Sequence, residues 1–252
     1  MNASFQHDGF DIAFLDEGAG EPVLLIHGFA SSTKVNWVST GWMSFLKDSG
    51  YRAIAFDNRG HGQTSKSYRE EDYAPGKMAS DAAALLRHLG ISRAHVMGYS
   101  MGARITAFLA LKRPELIQSV IFGGLGDGMI HGVGDWDPIA AALLSDAPET
   151  ITDARGAAFR KFADQTRSDR RALAACIARS RELITASQLA SIHIPALVAV
   201  GTLDDIGGSA QGLADAMPDA EAFDIERRDH MQAVGDRSFK KAALDFLRRH
   251  PI

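Results

Sequence analysis

The residues best placed to do chemistry are Gly98-Tyr99-Ser100-Met101-Gly102. A serine hydroxyl is a weak nucleophile and attacks a carbonyl only when a neighbouring base takes its proton. The spacing gains meaning from its flanks. A short apolar run, Ala94-His95-Val96-Met97, precedes it, and a helical apolar pattern spans residues 103–111. A strand that turns sharply into a helix strains the backbone of the residue at the turn and leaves its hydroxyl exposed at the end of the sheet. The positions two before and two after the serine are crowded by that turn, which favours glycine at 98 and 102. The new helix also aims its free N–H groups and positive end at the place where an oxyanion would form.

Such a serine needs a base, and the base needs a third group to set its tautomer and offset its charge. In this kind of sheet the partners follow the serine in the order acid, then histidine. His230, in Arg228-Asp229-His230-Met231, lies just past the last apolar run, where a loop hangs over the C-terminal edge of the sheet. His7, His88, His193 and His250 fall in surface or terminal positions, and His95 sits at the wrong end of the serine's strand. For the acid, Asp204 closes Val200-Gly201-Thr202-Leu203-Asp204 and is the first choice. Asp205 beside it and Asp127, past the preceding strand, are its rivals. Asp229 is disfavoured, because adjacent side chains on an extended chain point to opposite sides. Two backbone N–H groups must hold the oxyanion. Met101 supplies one and Phe29, in Leu25-Ile26-His27-Gly28-Phe29, the other. His27 reads as an organiser of that loop rather than a base. Asp57, Arg59 and His61, in a polar, glycine-bearing stretch after a strand, read as a tight hydrogen-bonded loop beside the site.

The elements that must position these groups follow from alternating apolar runs and helical patterns. Strands are expected at residues 5–7, 11–15, 23–27, 52–56, 94–97, 119–122, 195–200 and 221–225, and core helices at 37–47, 78–89, 103–111, 210–217 and 239–248. The alternation lapses over residues 125–194, which read as helical at 139–144, 157–162 and 170–183. The chain is therefore expected to divide into a core, residues 1–124 and 195–252, and a helical cap, residues 125–194. Phe159 and Phe162 are three apart and share a helix face. With Trp136 and Met129 they are the candidates for the substrate pocket wall.

The 252 residues and 46% hydrophobic content suit one large α/β domain with an insertion. With 27 Lys and Arg against 31 Asp and Glu, the formal charge of −4 argues against a nucleic-acid partner held through phosphates. The single cysteine, Cys176, excludes an internal disulfide. No stretch approaches the ~20 apolar residues of a membrane span. The first eight residues carry neither a basic start nor an apolar segment, so a soluble cytoplasmic protein without a membrane partner is expected. No dinucleotide-binding glycine motif, phosphate-binding loop or His-Glu-x-x-His occurs, and neither a cofactor nor a metal is expected. A serine rather than an aspartate at the elbow disfavours epoxide opening and dehalogenation through an alkyl–enzyme ester.

The chain resembles the α/β-hydrolase superfamily, in particular its small capped esterase and enol-lactonase-like members. The resemblance rests on His27-Gly28-Phe29, Asp57-Asn58-Arg59-Gly60-His61-Gly62, Gly98-Tyr99-Ser100-Met101-Gly102, Gly201-Thr202-Leu203-Asp204 and Asp229-His230, and spans nearly the whole chain except the cap. It implies an eight-stranded, mostly parallel sheet flanked by helices, with the cap inserted late. It also implies a triad of Ser100, Asp204 and His230, with Phe29 and Met101 as oxyanion donors. The implied reaction is cleavage of a small carboxylic ester or lactone through an acyl-enzyme. The same residues would serve a C–C bond hydrolase of a β-diketone or vinylogous ketone, a perhydrolase using peroxide as acyl acceptor, or a receptor that binds without turnover. Family members often carry a proline four residues after the acid, where this chain has Gly208, and that departure keeps Asp127 and Asp205 in play.

Overall fold

The alternating pattern builds a single eight-stranded sheet in the computed structural model, which describes residues 3–132 and 134–252. The strands are β1 (Ala3–His7), β2 (Phe10–Glu17), β3 (Pro22–Ile26), β4 (Arg52–Phe56), β5 (Ala94–Tyr99), β6 (Ile117–Gly123), β7 (Ala196–Gly201) and β8 (Ala220–Ile225), in the order β1-β2-β4-β3-β5-β6-β7-β8. β1 and β4 both pair antiparallel with β2, and every other pairing is parallel. The β1–β2 hairpin turns through Asp8 (φ 49°) and Gly9 (φ 80°). Two successive left-handed residues match the twist of a tight hairpin.

Every residue of β5 and β7 is buried, as expected for strands covered on both faces. The period-two alternation of side chains divides the core into two layers. Leu24, Ile26, Ile54, Val96, Val120 and Val198 face α2 (Pro75–His88) and α3 (Met101–Lys112). Their neighbours Val23, Leu25, Ala53, Met97, Ile121 and Leu197 face α1 (Trp42–Asp48) and α11 (Arg237–Arg249), through Trp42, Phe239 and Phe246.

Between β6 and β7 the described residues form helices and no strand: α4 (Gly128–His131), α5 (Asp137–Leu144), α6 (Ala154–Gln165), α7 (Arg170–Arg179) and α8 (Ala186–Ala190). Ile139, Leu143, Leu173, Cys176 and Ile177 join the α2/α3 layer of the core, so these helices pack down onto the sheet side that carries the elbow helix. Two further short helices, α9 (Ala210–Ala214) and α10 (His230–Ala233), flank β8. Among the described residues no helix is long and apolar enough to cross a membrane.

The helix expected over residues 37–47 is broken. A single wide turn over Lys34–Val38 ends before Gly41, whose φ of 77° no helix interior takes, and α1 begins at Trp42. At the start of α1 the Trp42 indole N–H donates to the Val234 carbonyl at 2.6 Å, tying the helix to the chain that follows α10. The helix expected over 170–183 is shorter, ending at Arg179.

Candidate active site

The strand–turn–helix around Ser100 takes the form its sequence demands. Ser100 lies between β5 and α3 at φ 56°, ψ −114°, a conformation that costs a non-glycine residue about 1–3 kcal/mol. Its N–H donates to the Gly123 carbonyl at 2.8 Å, and its own carbonyl accepts from the N–H groups of Ala103 and Arg104. A Cβ at position 98 would stand 2.1 Å from the Gly102 carbonyl oxygen, and one at position 102 would stand 1.9 Å from that of Ile26. Strand and helix cross too closely there for any other residue.

His230 reaches this serine from the far side of the sheet edge. Its Nε2 is 3.0 Å from Ser100 Oγ, and its Nδ1–H donates to Asp204 Oδ2 at 2.8 Å. An ionised carboxylate only accepts, so the proton sits on Nδ1 and the Nε2 lone pair faces the serine hydroxyl. Asp204 is held by its other oxygen as well: Oδ1 accepts the N–H groups of Ile206 and Gly207, each at 2.8 Å. Burial alone would raise its pKa. The hydrogen bond and charge of His230, with the two backbone N–H groups, outweigh that and hold it below the usual carboxylate range. The Tyr99 hydroxyl donates to the His230 carbonyl, fixing the start of α10.

The rival carboxylates are occupied elsewhere. Asp127 Oδ1 accepts the Ser209 N–H at 2.7 Å, Asp205 is exposed, and Asp229 caps α10 through the N–H groups of Met231 and Gln232. Gly208 has φ 78°, which the proline ring cannot adopt, so the loop after Asp204 is built on a different turn and still delivers two N–H groups to the acid.

The loop after β3 leaves one donor free. Gly28 N–H donates to Asn36 Oδ1 at 2.8 Å and Ala30 N–H to His61 Nε2 at 3.2 Å. The Phe29 N–H between them, like that of Met101 at the start of α3, donates to no other group among the described residues. The groups read as structural do hold this loop. His27 Nδ1–H donates to the Gly28 carbonyl and its Nε2 accepts the Asn58 N–H. Asp57 receives the N–H groups of Thr33 and Gln63, and the Arg59 guanidinium makes a bidentate pair with buried Asp81. Asn36 was not singled out from sequence, because nothing local distinguishes a buried asparagine that supports a loop eight residues away.

His27 and His61 are buried and serve as acceptors, so both must be neutral. Burial pushes both pKa values down, His61 to about 3 with the adjacent His27 as a second cause. An unfolded chain binds these protons near the ordinary value of 6.5, while the folded chain refuses them. Stability is therefore expected to be intact above pH 6.5 and to fall as the pH drops towards 3, by roughly 1.4 kcal/mol per pH unit from His61 alone. Urea midpoints between pH 7 and 4 should show a shallower decline in His61→Gln than in the wild type, even though the variant starts from a lower value. Equal slopes would contradict the assignment.

Two cavities meet at Ser100, with Phe29 and Trp136 bordering both. One, of about 190 Å³, is lined by Phe159, Phe162, Val234, Met231 and His230. The other, of about 250 Å³, is lined by Met101, Leu125, Ile177, Arg104 and Arg181. Of the four residues expected at the pocket wall, Trp136, Phe159 and Phe162 are there. Met129 is not: it is fully buried in the core, with its carbonyl bound by Arg104 Nη1 at 3.1 Å. That hydrogen bond ties α4 to α3. Arg104 itself went unread, although a lone cation inside the apolar stretch 103–111, one turn after the serine, is a visible anomaly.

Residues 21–175 match the family model described as the alpha/beta hydrolase fold. A non-heme haloperoxidase of Rhodococcus erythropolis is 38% identical over 150 residues, covering 59% of this chain and 53% of that protein. Among solved structures, an esterase from Exiguobacterium antarcticum superposes with a TM-score of 0.82 at 18% identity, over 98% of this chain and 99% of the other. A hydrolase from Pseudomonas aeruginosa superposes with a TM-score of 0.79 at 24% identity, over 97% of each chain. These structural likenesses are likenesses of fold. The chain spans 60% or less of the length of the curated relatives it matches. The family match covers more than half of the chain and takes in the loop after β3 and the turn at Ser100, and the chain therefore belongs to the alpha/beta hydrolase fold family.

Proposed function

We propose that this chain is a serine hydrolase that cleaves a small carboxylic ester or lactone through an acyl-enzyme. The observation that carries the reading is one imidazole hydrogen-bonded to Ser100 through Nε2 and to a buried carboxylate through Nδ1. His230 takes the Ser100 proton as Oγ attacks the carbonyl carbon, and Asp204 offsets the imidazolium that forms. The N–H groups of Phe29 and Met101 receive the oxyanion. His230 returns its proton to the leaving oxygen as the C–O bond breaks. Water, activated by the same base, then releases the acid. The test is a panel of 4-nitrophenyl esters run beside γ- and δ-lactones, with fluorophosphonate labelling mapped by mass spectrometry. Labelling of Ser100 with turnover is expected. A chain that is neither labelled nor active would end the reading.

A second acyl acceptor is favoured by the haloperoxidase name of the Rhodococcus relative. Hydrogen peroxide in place of water would release a peracid and regenerate Ser100. Peracid formed from acetate and peroxide, and absent from Ser100→Ala, would support it.

The leaving oxygen must come within reach of the His230 proton. The cavity that His230 lines therefore takes the alcohol, and the other takes the acyl chain. Phe159→Ala and Phe162→Ala are expected to shift preference towards bulkier alcohols by about 1–3 kcal/mol, the range one apolar contact discriminates. kcat/KM across a series of acetate esters reads this. An unchanged profile would make these rings packing residues only.

A further inference from the structure

The two cavities at Ser100 meet along a ring that is gripped from outside both. Among the described residues Ser100, Phe29 and Trp136 line both cavities, so the boundary between the acyl and alcohol arms runs across these side chains. Phe29 comes from the core, where the His61 ring meets it edge-on at 6.0 Å. Trp136 comes from the cap, at the N-cap of α5, and is 9% exposed. Two residues of α6 hold it. The Arg155 guanidinium lies over the Trp136 ring at 4.8 Å from its centre, and the Phe159 ring stands 6.0 Å away at an angle of 56°. Arg155 and Phe159 are four residues apart, so one face of α6 presents both. Phe159 also meets Phe29 at 5.6 Å, which joins the two boundary rings into one aromatic row. Arg155 belongs to the lining of neither cavity. A Cβ at position 134 would stand 3.1 Å from Arg155 Nη1, so the glycine there leaves the guanidinium its room beside the ring.

Building on the hydrolase reading above, we propose that Arg155 is a positioning residue for specificity: its cation–π contact fixes Trp136 as the wall between the two arms, and the wall selects against substrates whose acyl and alkoxy groups are joined. A guanidinium is drawn to the electron-rich face of an indole, and more strongly where water is excluded. The contact is made away from the substrate, so it sets where the wall stands without adding an atom to either cavity. The consequence is steric. An open-chain ester sends its acyl and alkoxy groups into different cavities. In a lactone the ring ties the two together, and both must share one space beside Ser100. A fixed Trp136 opposes the linking atoms of that ring, and a loosened one admits them. The covalent step is the same for both substrates: the bond from Ser100 Oγ to the acyl carbon forms, the C–O bond breaks, and the His230 proton passes to the leaving oxygen. That oxygen departs from an open-chain ester and stays tethered to the acyl-enzyme from a lactone.

The test compares phenyl propanoate with dihydrocoumarin, in which the same phenolic oxygen and a three-carbon acyl group are closed into a six-membered ring. The readout is the ratio of their kcat/KM values, each divided by the rate of the same compound with hydroxide. Intrinsic reactivity and a general loss of activity then both cancel. The wild type is expected to favour the open chain. Arg155→Met should lower that preference by about 3- to 30-fold, the range of one cation–π contact, mainly through KM for the lactone. Arg155→Lys keeps a cation and should recover part of it, and Trp136→Ala should lose it. A second measurement needs no turnover. Trp37 and Trp42 are fully buried, so the emission lost in Trp136→Phe isolates the third tryptophan of the chain. Acrylamide quenching of that component should rise in Arg155→Met and fall back in Arg155→Lys. A wild type that turns over both compounds without preference would overturn this inference and leave the hydrolase reading standing. So would a preference that Arg155→Met leaves unchanged. If no ester turns over and Ser100 is not labelled, the hydrolase reading falls, and the quenching alone decides whether Arg155 fixes Trp136. If Arg155→Met does not fold, Arg155→Gln takes its place in both measurements.

Discussion

Ser100→Ala is expected to lower ester turnover by on the order of 10⁴- to 10⁶-fold and to abolish fluorophosphonate labelling. The hydroxyl faces His230 Nε2 at 3.0 Å and stands at the turn from strand to helix, where the N–H groups of Phe29 and Met101 meet no other acceptor among the described residues. Without it no acyl-enzyme forms, and any remaining rate comes from binding and oxyanion stabilisation of a direct water attack. The variant keeps the methyl group and the backbone strain at φ 56°, so its thermal stability should stay close to that of the wild type. Burst kinetics with 4-nitrophenyl acetate check the loss. Turnover at the wild-type level in a folded Ser100→Ala protein would falsify the covalent mechanism.

Asp204→Asn is expected to cost about 10⁴-fold in kcat while leaving the fold intact, and the geometry says why. The N–H groups of Ile206 and Gly207 hold one oxygen of Asp204, and an asparagine would keep its carbonyl there. Its NH₂ group would then replace the oxygen that faces His230 Nδ1. Two donors cannot share that contact, so the imidazole would move its proton to Nε2 and point it at Ser100. The base would be lost although the residue remains. Asp127→Asn and Asp205→Asn should change kcat less than tenfold, because neither carboxylate meets His230. If Asp127→Asn were the most damaging of the three, the orienting role of Asp204 would be wrong.

The features legible in the sequence are those whose causes are local. Gly98 and Gly102 are set by crowding within one turn, so the elbow could be read from five residues and their flanks. The strands were legible because side-chain alternation is a property of consecutive residues, and the Asp8-Gly9 hairpin because its turn needs two left-handed residues. His230 was found by its order after the last strand. The remaining features rest on contacts between distant segments. Asp204, Asp205 and Asp127 all follow strands, and the choice among them lies in which carboxylate the N–H groups of Ile206 and Gly207 hold against an imidazole that follows β8. The start of α1 at Trp42 is tied to a carbonyl 192 residues away. Met129 looked like a pocket residue by composition, and it is fully buried in the core layer that α2 and α3 share. Sequence alone determined which residues could be nucleophile, base and backbone donor, because each carries its signature in its neighbours. Only the tertiary structure decided which of the three carboxylates meets the imidazole, because a charge finds its partner through space rather than along the chain.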